Sequence, residues 1–391
     1  MEKKSRLLLY DTSNFVNLPI GGQLTSISNF LKYVREEYGE MLDNTVLVGV
    51  STDPGEIGVF SQVDIHGKKV AFFPVAQVET DLGHTQKSLR VAYVKGLLKY
   101  GKRLGIRKRD CNYLHTPEAF GPVKLLCPTA KCAVFSHGSF FNMEKGFRFF
   151  QNNPLIKKGF MLYIRAVIRK AAVLFCLDKD SEEAYLPYNK QVLRVNNSII
   201  RESGEWVEKP FDKALVFVGR LSGQKRVEPI IKAVLGMEED YRLTIIGDGE
   251  EYENLISYAN DRIIFTGAIP PSEVKQYLKK QNILIMNSIL EGIPMTILEG
   301  LSFGLPVVTT DVGGIGSVVR FGVDAEKTDG SEKSIEKAIR KIAADYGRYS
   351  RAAFSQADQF DYRQVNREIM DRLLAIWPDL IRKTKEVDLF I

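Results

Sequence analysis

Two carboxylates, Glu291 and Glu299, stand eight residues apart in the stretch ILIMNSILEGIPMTILEGLSFGLPVVTTDVGG, residues 283–314. The apolar run Ile283–Met286 reads as a short buried strand closed by Asn287 and Ser288. Glu291-Gly292-Ile293-Pro294 is a loop, and its proline falls where a first helical residue is favoured. The helix carries Met295 to about Phe303, and Gly304 with Pro306 stops it. A second buried strand, Val307–Thr310, ends in Asp311-Val312-Gly313-Gly314. The pattern predicts a helix N-terminus with free N–H groups at the C-terminal edge of a parallel sheet, a place that binds phosphate. The carboxylates flank it as acceptors suited to sugar hydroxyls. The plain alternative is an ordinary βαβ unit with a surface glutamate.

A second motif lies about 70 residues earlier. After the apolar strand Ala214–Val218 come Gly219-Arg220-Leu221-Ser222-Gly223-Gln224-Lys225, G-R-L-x-x-x-K. A departing diphosphate needs cationic neutralisation, and arginine supplies a planar fork where lysine supplies a point charge. With Gly-x-Pro after the first glutamate and G-x-P-V-V-x-T-x-x-G-G after the second, the pattern resembles the donor-site signature of the large retaining glycosyltransferase family with the GT-B fold. The likeness is to its family 4-like members of bacterial polysaccharide assembly.

That resemblance implies an α/β chain of two doubly wound, Rossmann-like domains facing across a cleft. It implies that Arg220 and Lys225 clamp the donor diphosphate beside Gly219. The helix near Gly292 and Pro294 would give the phosphates N–H groups from Ile293, Met295 and Thr296. Glu299 would take the ribose hydroxyls, and Glu291 the sugar hydroxyls and the positive charge near the anomeric carbon. Gly267-Ala268-Ile269 would hold the nucleotide base through the main chain, which hides base identity. A UDP-sugar is the first expectation and a GDP-sugar the second. Retention of anomeric configuration is implied, through same-face attack assisted by the leaving phosphate. Since arginine, lysine and a helix dipole neutralise the diphosphate, no metal or other cofactor is expected. Two departures stand out: Gly300 replaces the usual alanine, and Arg226 replaces a usual glycine after Lys225. A dinucleotide-binding fingerprint at Gly247-Asp248-Gly249 fails because Tyr252 holds the third glycine's place, which disfavours an NAD-dependent oxidoreductase.

The first half carries its candidates at strand exits. A strand, Arg6–Tyr10, leads through a loop to Gly21-Gly22 and a helix with Leu24, Ile27, Phe30, Leu31 and Val34. A Gly-Gly turn lets backbone N–H groups approach a ligand, although a plain tight turn reads the same. The resemblance places Gly21 and Gly22 near the donor phosphates and the acceptor. His137-Gly138, after the strand Cys132–Phe135, resembles the family's first-domain histidine near the transferred sugar; a structural histidine at a capped strand end is the alternative. His115 holds a similar exit and is a weaker candidate, while His66 and His84 read as loop residues.

Charge is uneven. Residues 1–200 carry a net +10 and residues 201–391 a net −4, and residues 85–170 hold 18 basic against 3 acidic side chains. The span 85–104 reads as a basic helix, extended by Arg107-Lys108-Arg109. Between Phe140 and Lys170, phenylalanines alternate with Lys145, Arg148, Lys157, Lys158, Arg165 and Arg169. Such mixing fits an interfacial element on an anionic bilayer, or a core helix with solvated charges. Residues 85–170 are therefore expected to meet an anionic membrane surface. No nucleic-acid module is recognisable, so nucleic acid is not expected as a partner.

At 391 residues the chain suits two domains, and 45% hydrophobic with 26% charged residues is a globular composition. No run of about 18 apolar residues exists to span a membrane. The N-terminal apolar segment is too short for a signal peptide, so a cytoplasmic protein, peripheral on the inner membrane face, is expected. Four cysteines and four histidines lack metal or disulfide spacing. The expected division is residues 1–197 for the acceptor, with a helix of about 370–391 packing back on it, and 198–369 for the donor. The predicted activity is retaining transfer of a hexosyl-type sugar from a nucleotide-diphosphate sugar to a glycan or lipid-linked saccharide. A nucleotide-sugar-binding partner subunit without turnover, and a related phosphorylase or epimerase, remain as alternatives.

Overall fold

The structure, a computed structural model, describes residues 5–17, 22–78, 89–141, 154–201 and 205–381. The chain divides into two compact units. One holds the residues up to Asn196 and those from Tyr362 onward, and the other holds Asn197–Asp361.

The first unit is built on an eight-stranded sheet: β1 (Leu7–Tyr10), β2 (Thr45–Ser51), β3 (Ser61–Ile65), β4 (Lys68–Gln77), β5 (Cys111–Leu114), β6 (Cys132–Ser136), β7 (Val173–Cys176) and β8 (Val192–Arg194). Their order is β3-β4-β2-β1-β5-β6-β7-β8. All neighbours are parallel except β3 and β4, an antiparallel hairpin turned by His66 and Gly67 at φ 51° and 82°. Gly58, at φ 78°, turns the chain ahead of β3. Parallel strands covered on both faces are near-continuous apolar runs, and β1, β2, β5, β6 and β7 are buried along their whole length. Successive strands lie on opposite sides of β1, so the topological switch falls between β1 and β5.

Helices Gly22–Glu37 and Tyr362–Ile376 pack on each other in this unit, and Tyr362 Oη donates to the Glu36 carboxylate. The return to the first unit thus starts at Tyr362, ahead of the expected residue 370. The predicted basic helix is Leu89–Tyr100, continued by a tight turn over Gly101–Leu104; residues 85–88 lie outside the described residues. The basic aromatic segment yields the helix Pro154–Lys170, while Lys145, Phe147, Arg148, Phe149 and Phe150 also lie outside them.

The second unit has a six-stranded, wholly parallel sheet: β9 (Ala214–Val218), β10 (Arg242–Ile246), β11 (Ile263–Gly267), β12 (Ile283–Met286), β13 (Val307–Thr309) and β14 (Ala325–Lys327). The order β11-β10-β9-β12-β13-β14 places the switch between β9 and β12. Helix Glu332–Ala343 shows how its flanks are sealed. Ile335, Ala338, Ile339 and Ile342 recur at helical spacing and are buried, and each large aliphatic side chain contributes about 1.5–3 kcal/mol by leaving water.

A charged edge and a neutral edge

The loops leaving β9 and β12 flank the switch of the second unit, and they carry the two strongest motifs. After β9, the backbone N–H of Lys225 bonds to Ser222 O at 2.9 Å, turning the lysine back towards the exit of β12. There Ile289 N bonds to Gln224 O at 2.9 Å, which ties the loops together. Lys225 Nζ then pairs with Glu291 Oε1, which also accepts from Ser288 Oγ at 2.5 Å. Both charged side chains are largely buried, so their attraction is little screened. Ser288 is itself fixed by Thr310 Oγ1, which donates to its carbonyl at 2.7 Å.

Beyond Glu291 the helix Met295–Ser302 begins after Pro294, with no side-chain cap and no acidic residue in its first turn. The described side chains therefore leave the N-terminal N–H groups of Met295 and Thr296 to a ligand. Glu299 lies one turn in, partly buried. Burial pushes its carboxyl above the usual carboxylate range, against the pull of Lys275. Gly313, at φ 57°, lies against this loop: a Cβ there would come 1.8 Å from Glu291 O, and Gly314 N bonds to Gly292 O at 2.9 Å. The Gly-Gly end of the signature is thus needed to let the β13 exit touch the backbone that carries Glu291.

Arg226 explains its own departure from the family pattern. It stands at φ 45°, the left-handed conformation that glycine adopts freely, immediately before helix Val227–Gly236. Its guanidinium donates to Asn287 O at 3.1 Å and to Asn287 Oδ1 at 3.2 Å, holding the turn in place. Arg220, the other cation of the motif, has a different partner. It is three-quarters exposed and pairs with Glu250 at 3.1 Å, so the structure does not bring it to the Lys225–Glu291 pair. The C-terminal ends of β9, β10 and β11 are joined in series, Gly219 N to Ile246 O and Gly247 N to Gly267 O, both at 3.0 Å. The turn Gly267-Ala268-Ile269 accordingly sits two strands from β9, on the side away from β12. Ala268 is exposed there and Ile269 half-buried.

The first unit's switch has a different character. Asp11, immediately after β1, is buried and accepts from Gln23 Nε2 and, at 3.4 Å, from Thr116 Oγ1. Burial raises its pKa despite these bonds. His115 follows β5 and His137 follows β6; because those strands are neighbours, His115 Nδ1 and His137 Nε2 meet at 2.7 Å. Both rings stack on Phe135, with centroids 5.2 and 4.4 Å away. Burial drives both imidazoles towards the neutral form, His115 well below its ordinary value and His137 to about 3, with Arg90 adding to the second shift. His115, the weaker of the two sequence candidates, is therefore the direct partner of His137. Asp11, Gln23 and Thr116 were missed; the one signal was a carboxylate directly following a fully apolar strand. Gly22 starts its helix exposed, whereas Gly21 and His84 lie outside the described residues. His66 contacts Ser28 in the hairpin and belongs to neither site. Among the described residues, no group of three or more His, Cys, Asp or Glu is placed to hold a metal ion. No helix among them is long and apolar enough to cross a membrane.

Comparison with known proteins agrees with the second unit. Residues 199–359 match the model of the family described as glycosyl transferases group 1. TuaC of Bacillus subtilis, named as a glycosyltransferase of teichuronic acid biosynthesis, is 31% identical over 180 residues, 42% of this chain and 45% of that protein. A lipopolysaccharide 1,6-galactosyltransferase of Salmonella typhimurium is 35% identical over 127 residues, 29% of this chain and 35% of that protein. The chain thus spans less than half the length of these relatives. Among solved structures, sucrose-phosphate synthase of Thermosynechococcus elongatus superposes with a TM-score of 0.74 at 14% identity, covering 96% of this chain and 100% of that one. Anabaena HepE in complex with UDP and glucose does so at 0.65 and 16% identity, covering 95% and 100%. The two α/β units of the chain have the fold of the GT-B glycosyltransferases, and the match to the glycosyl transferases group 1 model lies within the second unit.

Proposed function

We propose that the chain is a retaining hexosyltransferase that moves a sugar from a nucleotide-diphosphate donor to a glycan or lipid-linked saccharide, in the assembly of a surface polysaccharide or glycolipid. The observation that carries this reading is the Lys225–Glu291 pair beside the uncapped start of helix Met295–Ser302. Lys225 and the N–H groups of Met295 and Thr296 would take the negative charge that grows on the diphosphate as the glycosidic bond breaks. Donor binding would release Glu291 from Lys225 to the sugar's hydroxyls and to the positive charge near its anomeric carbon. Glu299, whose carboxylate has no hydrogen-bond partner among the described residues, suits the ribose hydroxyls. Arg220 would leave Glu250 for the diphosphate, a small step for so exposed a pair. His137 would hydrogen-bond the sugar as a neutral imidazole. These groups neutralise the leaving diphosphate without a divalent metal or other cofactor. A UDP-sugar is the preferred donor, in keeping with the UDP in the HepE complex, and a GDP-sugar the second choice.

The acceptor side of the reading is a lipid-linked saccharide at the inner face of a membrane. Helices Phe120–Leu126 and Pro154–Lys170 pack together, Gly121 N donating to Tyr163 Oη at 3.1 Å. They leave Leu125, Leu155 and Leu162 exposed by 74%, 81% and 57%, among Lys124, Lys158 and Arg165. Exposed leucines among cations suit the interface of an anionic bilayer.

The test is product formation from labelled UDP-, GDP- and ADP-sugars, with a membrane extract as acceptor, for the wild type and Glu291→Ala. Transfer from one donor into a lipid-extractable product, lost in the variant, is the expected result. Nucleotide binding without transfer in any fraction would favour a donor-binding partner subunit instead.

A further inference from the structure

Arg107, Lys108 and Arg109 precede β5, and Lys131 immediately precedes β6. These four cations therefore lie at the N-terminal edge of the first unit's sheet, opposite the edge that carries Asp11, His115 and His137. The segment after helix Tyr362–Ile376 packs over the same edge. Ser5, Ile376, Trp377, Pro378 and Asp379 complete a cavity of about 450 Å³ around the four basic residues. Among the described residues no carboxylate pairs with the side chain of Arg107, Lys108, Arg109 or Lys131. The nearest acid in the chain, Asp110, is buried and committed to Arg6 at 2.6 Å and to the backbone N–H of Arg107 at 2.9 Å. Among the described residues of the lining, Asp379 is the single acidic one. Trp377, only 4% exposed, contributes a rigid wall, and its Nε1 is buried without a hydrogen-bond partner among the described residues.

Two guanidinium forks and two ammonium groups around one small cavity carry enough charge for a dianion, and their geometry suits the oxygens of a phosphoryl group. The indole, Ile376 and Pro378 suit an apolar portion of the same ligand. We propose that this cavity is a second anion site, distinct from the donor site, that takes a phosphoryl-bearing ligand. That ligand is either a soluble phosphate compound or the headgroup of an anionic phospholipid. The site goes beyond the transfer reaction and involves none of its residues.

The chain has two tryptophans, Trp206 and Trp377, so Trp206→Phe leaves Trp377 as the sole indole reporter inside the cavity. The fluorescence of this variant is followed during titration with inorganic pyrophosphate, with phosphatidylglycerol vesicles and with phosphatidylcholine vesicles. The expected result is a saturable change with pyrophosphate, with phosphatidylglycerol, or with both. A response to pyrophosphate identifies a soluble phosphate compound as a ligand; a response confined to phosphatidylglycerol identifies the lipid headgroup. Adding Arg107→Ala and Arg109→Ala should raise the half-saturating concentration by about tenfold or more, since each removes a charge-assisted contact. Lys131→Glu should act in the same direction. Lys225→Ala at the donor site, and Leu155→Ser with Leu162→Ser at the bilayer face, should leave the response unchanged. No response to either anion, or one undiminished by the Arg107 and Arg109 substitutions, would overturn the proposal. Far-ultraviolet circular dichroism of each variant establishes that a lost response is not lost folding.

Discussion

The two units solve one architectural problem with opposite chemistry. Each is a largely or wholly parallel sheet whose strand order reverses next to its first strand, and each collects polar residues in the loops at that reversal. In the second unit those loops hold full charges, Lys225 against Glu291, and an uncapped helix start. In the first they hold groups that burial pushes towards neutrality: the carboxyl of Asp11 upward, the imidazoles of His115 and His137 downward. A charged edge can stabilise charge that develops during reaction, because its dipoles and ions are fixed in advance. A neutral edge can orient hydroxyls without adding charge. The fold supplies the position in both cases, and the residues at the strand exits decide what the position does.

The widest separation between the two edges should appear in transfer rates. Glu291→Ala and Lys225→Ala should each lower kcat/KM by about 10²–10³, the range for removing one electrostatic contact to a transition state. His137→Ala should cost only about tenfold to a hundredfold, mostly in KM, if it orients rather than stabilises charge. Equal losses at the two edges would erase the distinction. Gly313→Ala tests the packing beneath the charged edge. Its Cβ would overlap Glu291 O and strain a left-handed backbone, so a loss of about 2–3 kcal/mol in denaturant stability is expected.

The neutral edge should betray itself in acid. A histidine held neutral in the folded state, with its pKa depressed, binds protons preferentially when unfolded. Stability is therefore complete above the unfolded value near 6.5 and is lost as pH falls towards the folded value, about 3 for His137. Acidification from pH 6.5 to 5.5 should remove roughly 1 kcal/mol for each of His115 and His137, read from urea midpoints. The loss should be smaller in the His115→Phe, His137→Phe double variant. The least effect is expected at the exposed Arg220–Glu250 pair. Glu250→Gln should lower the donor KM by less than about fivefold, since exposed pairs contribute roughly 0–1 kcal/mol.

Much of the charged edge was legible in the sequence, because its parts are local. β9 and β12 are unbroken apolar runs, and each is followed directly by its motif. What spacing could not reveal was that Lys225 and Glu291 neutralise one another, since that depends on β9 and β12 pairing across the switch. Nor could sequence show how Arg226 takes a place where glycine is usual: anchored to Asn287, it holds the left-handed conformation. The neutral edge was less legible. His115 and His137 are 22 residues apart and meet only because β5 and β6 are neighbours. Two elements escaped pattern reading for physical reasons. Helix Phe120–Leu126 hides behind Gly121-Pro122, a turn-like pair whose proline is tolerated in a first helical turn. β14 is three residues long and contains Glu326, which is buried through bonds to Tyr349 and Lys341 rather than by being apolar.

The most direct test of the charged edge is calorimetric titration of UDP, which carries the diphosphate and lacks the sugar. On the proposed division of roles, Lys225 serves the diphosphate, and Glu291 competes for Lys225 until a sugar arrives. Lys225→Ala should weaken UDP binding by about tenfold or more. Glu291→Ala should bind UDP as tightly as the wild type or more tightly, even though it no longer transfers sugar. Loss of UDP binding in Glu291→Ala to the same degree as in Lys225→Ala would contradict the assignment of the two residues to separate parts of the donor.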